Sequence, residues 1–164
     1  MKGPLVLVGP MGVGKTTVGK KLAKELDTSF MDTDKIIASE HGPISAVFDR
    51  LGESGFREIE SSVLTRCLEE TGVVATGGGV VTTESNRKAL ASHSVIYLST
   101  DGKHIASRLS TRNRPLLSSG TDSWESIYAS RKSLYKEVAT HEVDTSGKSL
   151  AAIVSEISNL VRAK

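Results

Sequence analysis

At 164 residues the chain has the usual length of one globular unit, and 38% hydrophobic with 24% charged residues exclude a disordered or fibrous protein. A net charge of +2 from dispersed Lys and Arg, with only 4% aromatic residues, argues against nucleic-acid binding by a basic patch or by base stacking. No apolar run approaches a membrane span, no signal-peptide pattern precedes the first strand, and the lone Cys67 excludes an internal disulfide. A cytoplasmic protein with no membrane partner is therefore expected.

The apolar run Leu5-Val6-Leu7-Val8 predicts a buried strand over residues 4–8. Directly after it, Gly9-Pro10-Met11-Gly12-Val13-Gly14-Lys15-Thr16 fits G-x-x-x-x-G-K-[ST] without a mismatch, and a helical pattern runs over 15–26. Glycines let such a loop curl so that successive N–H groups point inward, and the helix N-terminus adds partial positive charge. Lys15 has the reach for the β- and γ-phosphates of a nucleotide, and the Thr16 hydroxyl suits Mg²⁺. The alternative is a Gly-rich strand-to-helix turn, but strand, loop, Lys-Thr and helix all stand in register. Binding of a nucleoside triphosphate is expected.

A second strand is predicted over 29–31, followed by Asp32-Thr33-Asp34. If the extended chain continues, residues two apart share a face, so one carboxylate points toward Mg²⁺ near Thr16 and the other toward an acceptor hydroxyl. Alternatively, one Asp, Asp34 in particular, caps the helix that begins near Thr33. Helices follow over 33–40, 44–51 and 55–70, and Cys67 beside Val63, Leu64 and Leu68 reads as a buried structural thiol. The strand over 73–76 leads into Gly77-Gly78-Gly79. Three glycines suit close approach to an acceptor hydroxyl or carboxylate, or simply a tight turn.

Next come a helix over 84–91, a strand over 94–98, a helix over 103–109, and a polar, Gly/Ser-rich segment over 109–121 with Arg112, Arg114 and Pro115. A loop of that kind beside a phosphate site reads as a lid. A helix over 122–138, a strand over 142–144 and a helix over 149–162 complete the chain. Strands alternating with helices imply a parallel sheet covered on both faces, with ligands outside the carboxyl ends of its strands. Arg57, between the second and third strands, and Arg131, on the helix after the lid, have the planar fork that clamps a carboxylate. Either alone also reads as a solvated surface charge.

Taken together, Gly9–Thr16, Asp32-Thr33-Asp34, residues 52–60 with their Phe56-Arg57, Gly77-Gly78-Gly79, Arg114-Pro115-Leu116-Leu117 and Arg131-x-x-Leu134-Tyr135 resemble shikimate kinase in order and spacing over essentially the whole chain. The resemblance implies a P-loop three-layer α/β/α fold, nucleoside-monophosphate-kinase-like, with a five-stranded parallel sheet. It implies one domain over 1–164, with a substrate-binding insertion about 33–60 and a lid about 109–121. The implied reaction moves the γ-phosphoryl of ATP to the 3-hydroxyl of shikimate in a monomer that uses Mg²⁺.

Carried over by position, Lys15, Asp34 and Arg114 look catalytic, and Asp34 either removes the proton or aligns the hydroxyl. Gly12, Val13, Gly14, Lys15, Thr16, Thr17, Arg108 and Arg114 look like the ATP site, with Arg108 bordering adenine. Asp34, Arg57, Gly78, Gly79 and Arg131 look like the shikimate site, and Thr16 and Asp32 the metal site, the Asp acting through water. Glu60 is placed to tether Arg57, while Ile44, Phe48, Phe56, Pro115 and Leu116 wall the pocket. Three departures stand out: Ser133 replaces a proline, Ser146-Gly147-Lys148-Ser149 lacks one beside adenine, and Met11 differs from many relatives. A gluconate kinase has no reason to combine Gly77–Gly79 with Arg57 and Arg131. A nucleoside monophosphate kinase needs a base-reading pocket, and a non-catalytic relative would normally lack Lys15, Asp34 or Arg114.

Overall fold

Alternation along the first strand, β1 (Pro4–Val8), divides the core in two. Leu5 and Leu7 enter one buried cluster, and Val6 and Val8 the other, as expected when successive side chains point to opposite faces of a sheet. A computed structural model describes residues 3–103, 105 and 123–163 of the chain. The remaining strands are β2 (Phe30–Asp32), β3 (Gly72–Ala75), β4 (Ser94–Ser99) and β5 (His141–Asp144). All pair in parallel in the order β2-β3-β1-β4-β5, with β1 at the centre. The parallel register requires crossovers, which helices supply.

On the Leu5/Leu7 face lie α1 (Lys15–Glu25) and α6 (Leu150–Arg162), through Val18, Leu22, Ile153, Val154 and Ile157. On the other face pack α3 (Ile44–Leu68), α4 (Glu84–Leu90) and α5 (Trp124–Val138), through Val63, Leu64, Leu90 and Tyr135. Truncating a fully buried residue such as Leu7 to Ala would cost about 2–5 kcal/mol. Cys67 is buried in the second cluster, and burial pushes its thiol above the ordinary value, as suits a packing residue.

Several expectations need adjustment. Residues 44–68 are two helices that run into each other across a kink at Gly52 (φ 70°, ψ −178°), in line with the two helices read from the sequence. A 3₁₀ turn over Val80–Thr82, absent from the sequence reading, follows the three glycines. The larger correction concerns Asp34, which does not extend the β2 strand. Asp32 accepts a hydrogen bond from the Lys35 backbone N–H (3.2 Å), and this cap starts α2 (Thr33–His41) one residue after the strand ends. The capping residue is thus Asp32, and Asp34 sits in the first helical turn. The expected helix over 103–109 falls mostly outside the described residues.

Candidate active site

The carboxyl ends of β1, β2 and β3 open into one cleft of about 790 Å³. Its floor at one end is the loop between β1 and α1. Gly14, immediately before α1, has φ +103°, a conformation that a side chain would strain. Lys15, largely buried, donates from Nζ to the carbonyls of Gly9 (2.7 Å) and Pro10 (3.0 Å), so its ammonium lies across the loop. Gly12, Gly14, Lys15, Thr16 and Thr17 line the cleft, whereas the Val13 side chain packs into the core.

Thr16 and Asp32 come together from two elements. The Thr16 hydroxyl donates to Oδ2 of Asp32 at 2.6 Å, while Oδ1 of the same carboxylate holds the α2 cap. A hydroxyl and a carboxylate side by side are hard oxygen donors, the chemistry that Mg²⁺ takes. Among the described residues no group of three or more His, Cys, Asp and Glu gathers as a metal cage.

The other end of the cleft is built around Gly77-Gly78-Gly79. A Cβ on Gly77 would lie 2.8 Å from Oδ1 of Asp34 and 3.1 Å from Oε2 of Glu60. One on Gly78 would lie 3.1 Å from Cγ of Met11, and one on Gly79 would collide with the Arg57 guanidinium. The glycines serve close approach, although Gly79 also leads into the 3₁₀ turn. Asp34, Arg57, Gly78, Gly79 and Arg131, each read from sequence as part of one site, all line this end. The rings of Phe48 and Phe56, with centroids 4.7 Å apart, wall it together with Ile44.

Arg57 donates to Glu60 (2.9 Å) and to the exposed Glu53 (3.3 Å). Glu60 itself is 1% exposed, and among the described residues neither its Oε2 nor Nε of Arg57 has a hydrogen-bond partner. Burial pushes the Glu60 carboxyl up to about 7, against the opposing pull of the Arg57 guanidinium. The expected tether between the two is therefore present. Arg131 is 6% exposed and still reaches the cleft, which distinguishes it from a solvated surface charge.

Sequence reasoning overlooked what holds these groups from behind. Tyr135 donates from its hydroxyl to the Gly78 carbonyl (2.5 Å), and Trp124 donates from Nε1 to the Met11 carbonyl (2.8 Å). The spacing of Trp124, Tyr128, Arg131 and Tyr135 on one helical face was the available signal. Arg108, Arg112, Arg114, Pro115 and Leu116, with the lid over 109–121, lie outside the described residues. Ser133 is exposed on α5, away from the cleft, and Ser149 caps α6 by accepting from the Ala152 N–H.

A family model described as shikimate kinase matches residues 11–162. A curated shikimate kinase of Corynebacterium diphtheriae is 41% identical over 157 residues, covering 93% of this chain and 91% of that protein. One from Pseudomonas aeruginosa is 43% identical over 164 residues, covering 96% and 95%. Among solved structures, a shikimate kinase from Acinetobacter baumannii in complex with shikimate aligns with a TM-score of 0.89 at 36% identity, over 98% of this chain and 93% of that one.

Proposed function

The chain belongs to the shikimate kinase family, and we propose that it transfers the γ-phosphoryl of ATP to the 3-hydroxyl of shikimate, giving ADP and shikimate 3-phosphate on the route to the aromatic amino acids. One observation carries this reading. A single cleft has a P-loop at one end and, at the other, two arginines on different helices set against a triple-glycine loop. The chemistry asks for charge neutralisation and alignment more than for covalent work by the protein.

The N–H groups of Gly12, Val13, Gly14, Lys15, Thr16 and Thr17 cradle the phosphates, and the Lys15 ammonium neutralises the β- and γ-oxygens. Thr16 and Asp32 hold Mg²⁺, which when bound offsets charge on the phosphate oxygens. Arg57 and Arg131 receive the acceptor carboxylate, with Gly78 and Gly79 giving the ring close access to the backbone. Asp34 aligns the attacking hydroxyl, and a loose transition state demands little base strength of it. Arg114 in the lid stabilises the transferring phosphoryl group, and Arg108 borders adenine.

The working form is a cytoplasmic monomer that handles small molecules alone. The chain acts as one kinase domain, in which residues 33–60 form the acceptor-binding insertion and 109–121 the lid. Among the described residues no helix is long and apolar enough to cross a membrane. The deciding experiment compares ADP release from Mg²⁺-ATP with shikimate, gluconate, AMP or no acceptor. ADP formation that requires shikimate and Mg²⁺ is expected. Equal turnover with gluconate, or none with shikimate, would overturn the proposal.

A further inference from the structure

Helix α5 presents Trp124, Tyr128, Arg131 and Tyr135 on one buried face. The chain has three tyrosines and one tryptophan, and all four meet here, with Tyr97 of β4 stacked on Tyr135 at 5.2 Å and Trp124 beside Tyr128 at 5.2 Å. The two ends of this face hold two different loops. Trp124 binds the Met11 carbonyl of the P-loop, and Tyr135 binds the Gly78 carbonyl of the glycine loop. Those loops also touch each other, since a Cβ on Gly78 would lie 3.3 Å from the Met11 backbone nitrogen.

Arg131 stands between the two anchors. It shares a helical face with Tyr135, four residues on, and its Nη1 lies 3.7 Å from where a Gly78 Cβ would be, so guanidinium and phenol both converge on the Gly78 backbone. A phenol has one proton and two lone pairs. The proton is committed to the Gly78 carbonyl, which leaves the lone pairs of the oxygen on the side of the neighbouring guanidinium charge. Burial pushes the Tyr135 hydroxyl up to about 12, which keeps that proton in place at ordinary assay pH. Tyr135 is fully buried and does not line the cleft.

Resting on the shikimate reading above, we infer that Tyr135 is a positioning residue for the acceptor carboxylate, fixing the Arg131 guanidinium against the Gly78 backbone without touching the acceptor. The molecule supplies its own control. Tyr128 shares a hydrogen bond of 2.5 Å with Tyr97 and ties the same helix to β4, whereas the bond to the Gly78 carbonyl is made by Tyr135.

The test is steady-state kinetics of Tyr135→Phe and Tyr128→Phe with shikimate and with an analogue lacking the carboxylate. Tyr135→Phe keeps the stacked ring and should raise the KM for shikimate about tenfold, because losing its bond to the buried Gly78 carbonyl releases the backbone against which Arg131 is set. Its kcat and its KM for ATP should change less than threefold, and wild type and variant should coincide on the analogue. Tyr128→Phe should leave the shikimate KM within twofold. A rise shared by both variants, an equal loss on both acceptors, or no change in Tyr135→Phe would overturn the inference. A double-variant cycle closes the remaining gap: Tyr135→Phe added to Arg131→Lys should cost little more than Arg131→Lys alone, and additive losses would contradict it. Absence of shikimate turnover in the wild type would instead reject the proposed function.

Discussion

Two glycine-rich loops face each other across this cleft, and they need glycine for different reasons. At Gly14 a Cβ would meet nothing within 4 Å, yet φ is +103°, so the backbone conformation alone demands the residue. At Gly79 φ is an ordinary −97°, and the space is taken by the Arg57 guanidinium. The phosphate end is thus shaped by backbone torsions, which turn N–H groups inward. The acceptor end is shaped by side chains from distant parts of the chain, packed against a bare backbone. The anion recognition proposed for the first is a property of a short sequence, whereas that proposed for the second is a property of the assembled fold.

The largest effect expected from this contrast is electrostatic and belongs to the acceptor end. Glu60 is buried beside Arg57, and its carboxyl is pushed from 4.5 to about 7. Between those values the unfolded chain has released the proton while the folded chain keeps it. Folding stability therefore declines as pH rises through this window and is level above it. Denaturant unfolding of wild type against Glu60→Gln should show a relative loss of about 3 kcal/mol between pH 4.5 and 7, confined to the wild type. Parallel curves would show that Glu60 is ionised in both states.

Gly79→Ala comes next. The added methyl displaces the end of a flexible Arg57 side chain, so the fold should tolerate it while the clamp does not. Shikimate kcat/KM should fall about a hundredfold, or roughly 2.7 kcal/mol, with the ATP Kd unchanged within threefold. Arg57→Lys keeps the charge and removes the fork, so a smaller rise of about tenfold in shikimate KM is expected. Gly14→Ala should act in the opposite direction. A strained φ costs about 1–2 kcal/mol, weakening ATP about tenfold and leaving the shikimate Kd unaltered. If Gly79→Ala weakened ATP as much as shikimate, the two ends would not be separable and the comparison would fail.

The same contrast explains what could be read from the sequence. The P-loop was legible because its torsions, its lysine and its helix follow one another along the chain. Asp32 and Asp34 were recognised as a pair, but the strand geometry assigned to them was displaced by a local capping bond to Lys35. The role of Gly77-Gly78-Gly79 stayed open between turn and close approach, because the atoms that fill the space belong to Met11, Asp34, Arg57 and Glu60. Tyr135 and Gly78 lie 57 positions apart, and no local pattern joins them. The Arg57–Glu60 pair, three residues apart on one helix, was visible as a tether, whereas the burial of Glu60 depends on the packing of α3 against the sheet.

The most direct test of the central claim, that the acceptor end is a prebuilt carboxylate clamp, is a crystal structure with shikimate, Mg²⁺ and a non-hydrolysable ATP analogue. The shikimate carboxylate is expected within hydrogen-bond distance of both Arg57 and Arg131, with the ring against Gly78 and Gly79 and a hydroxyl facing Asp34. A carboxylate turned toward Lys15, or held by neither arginine, would contradict it.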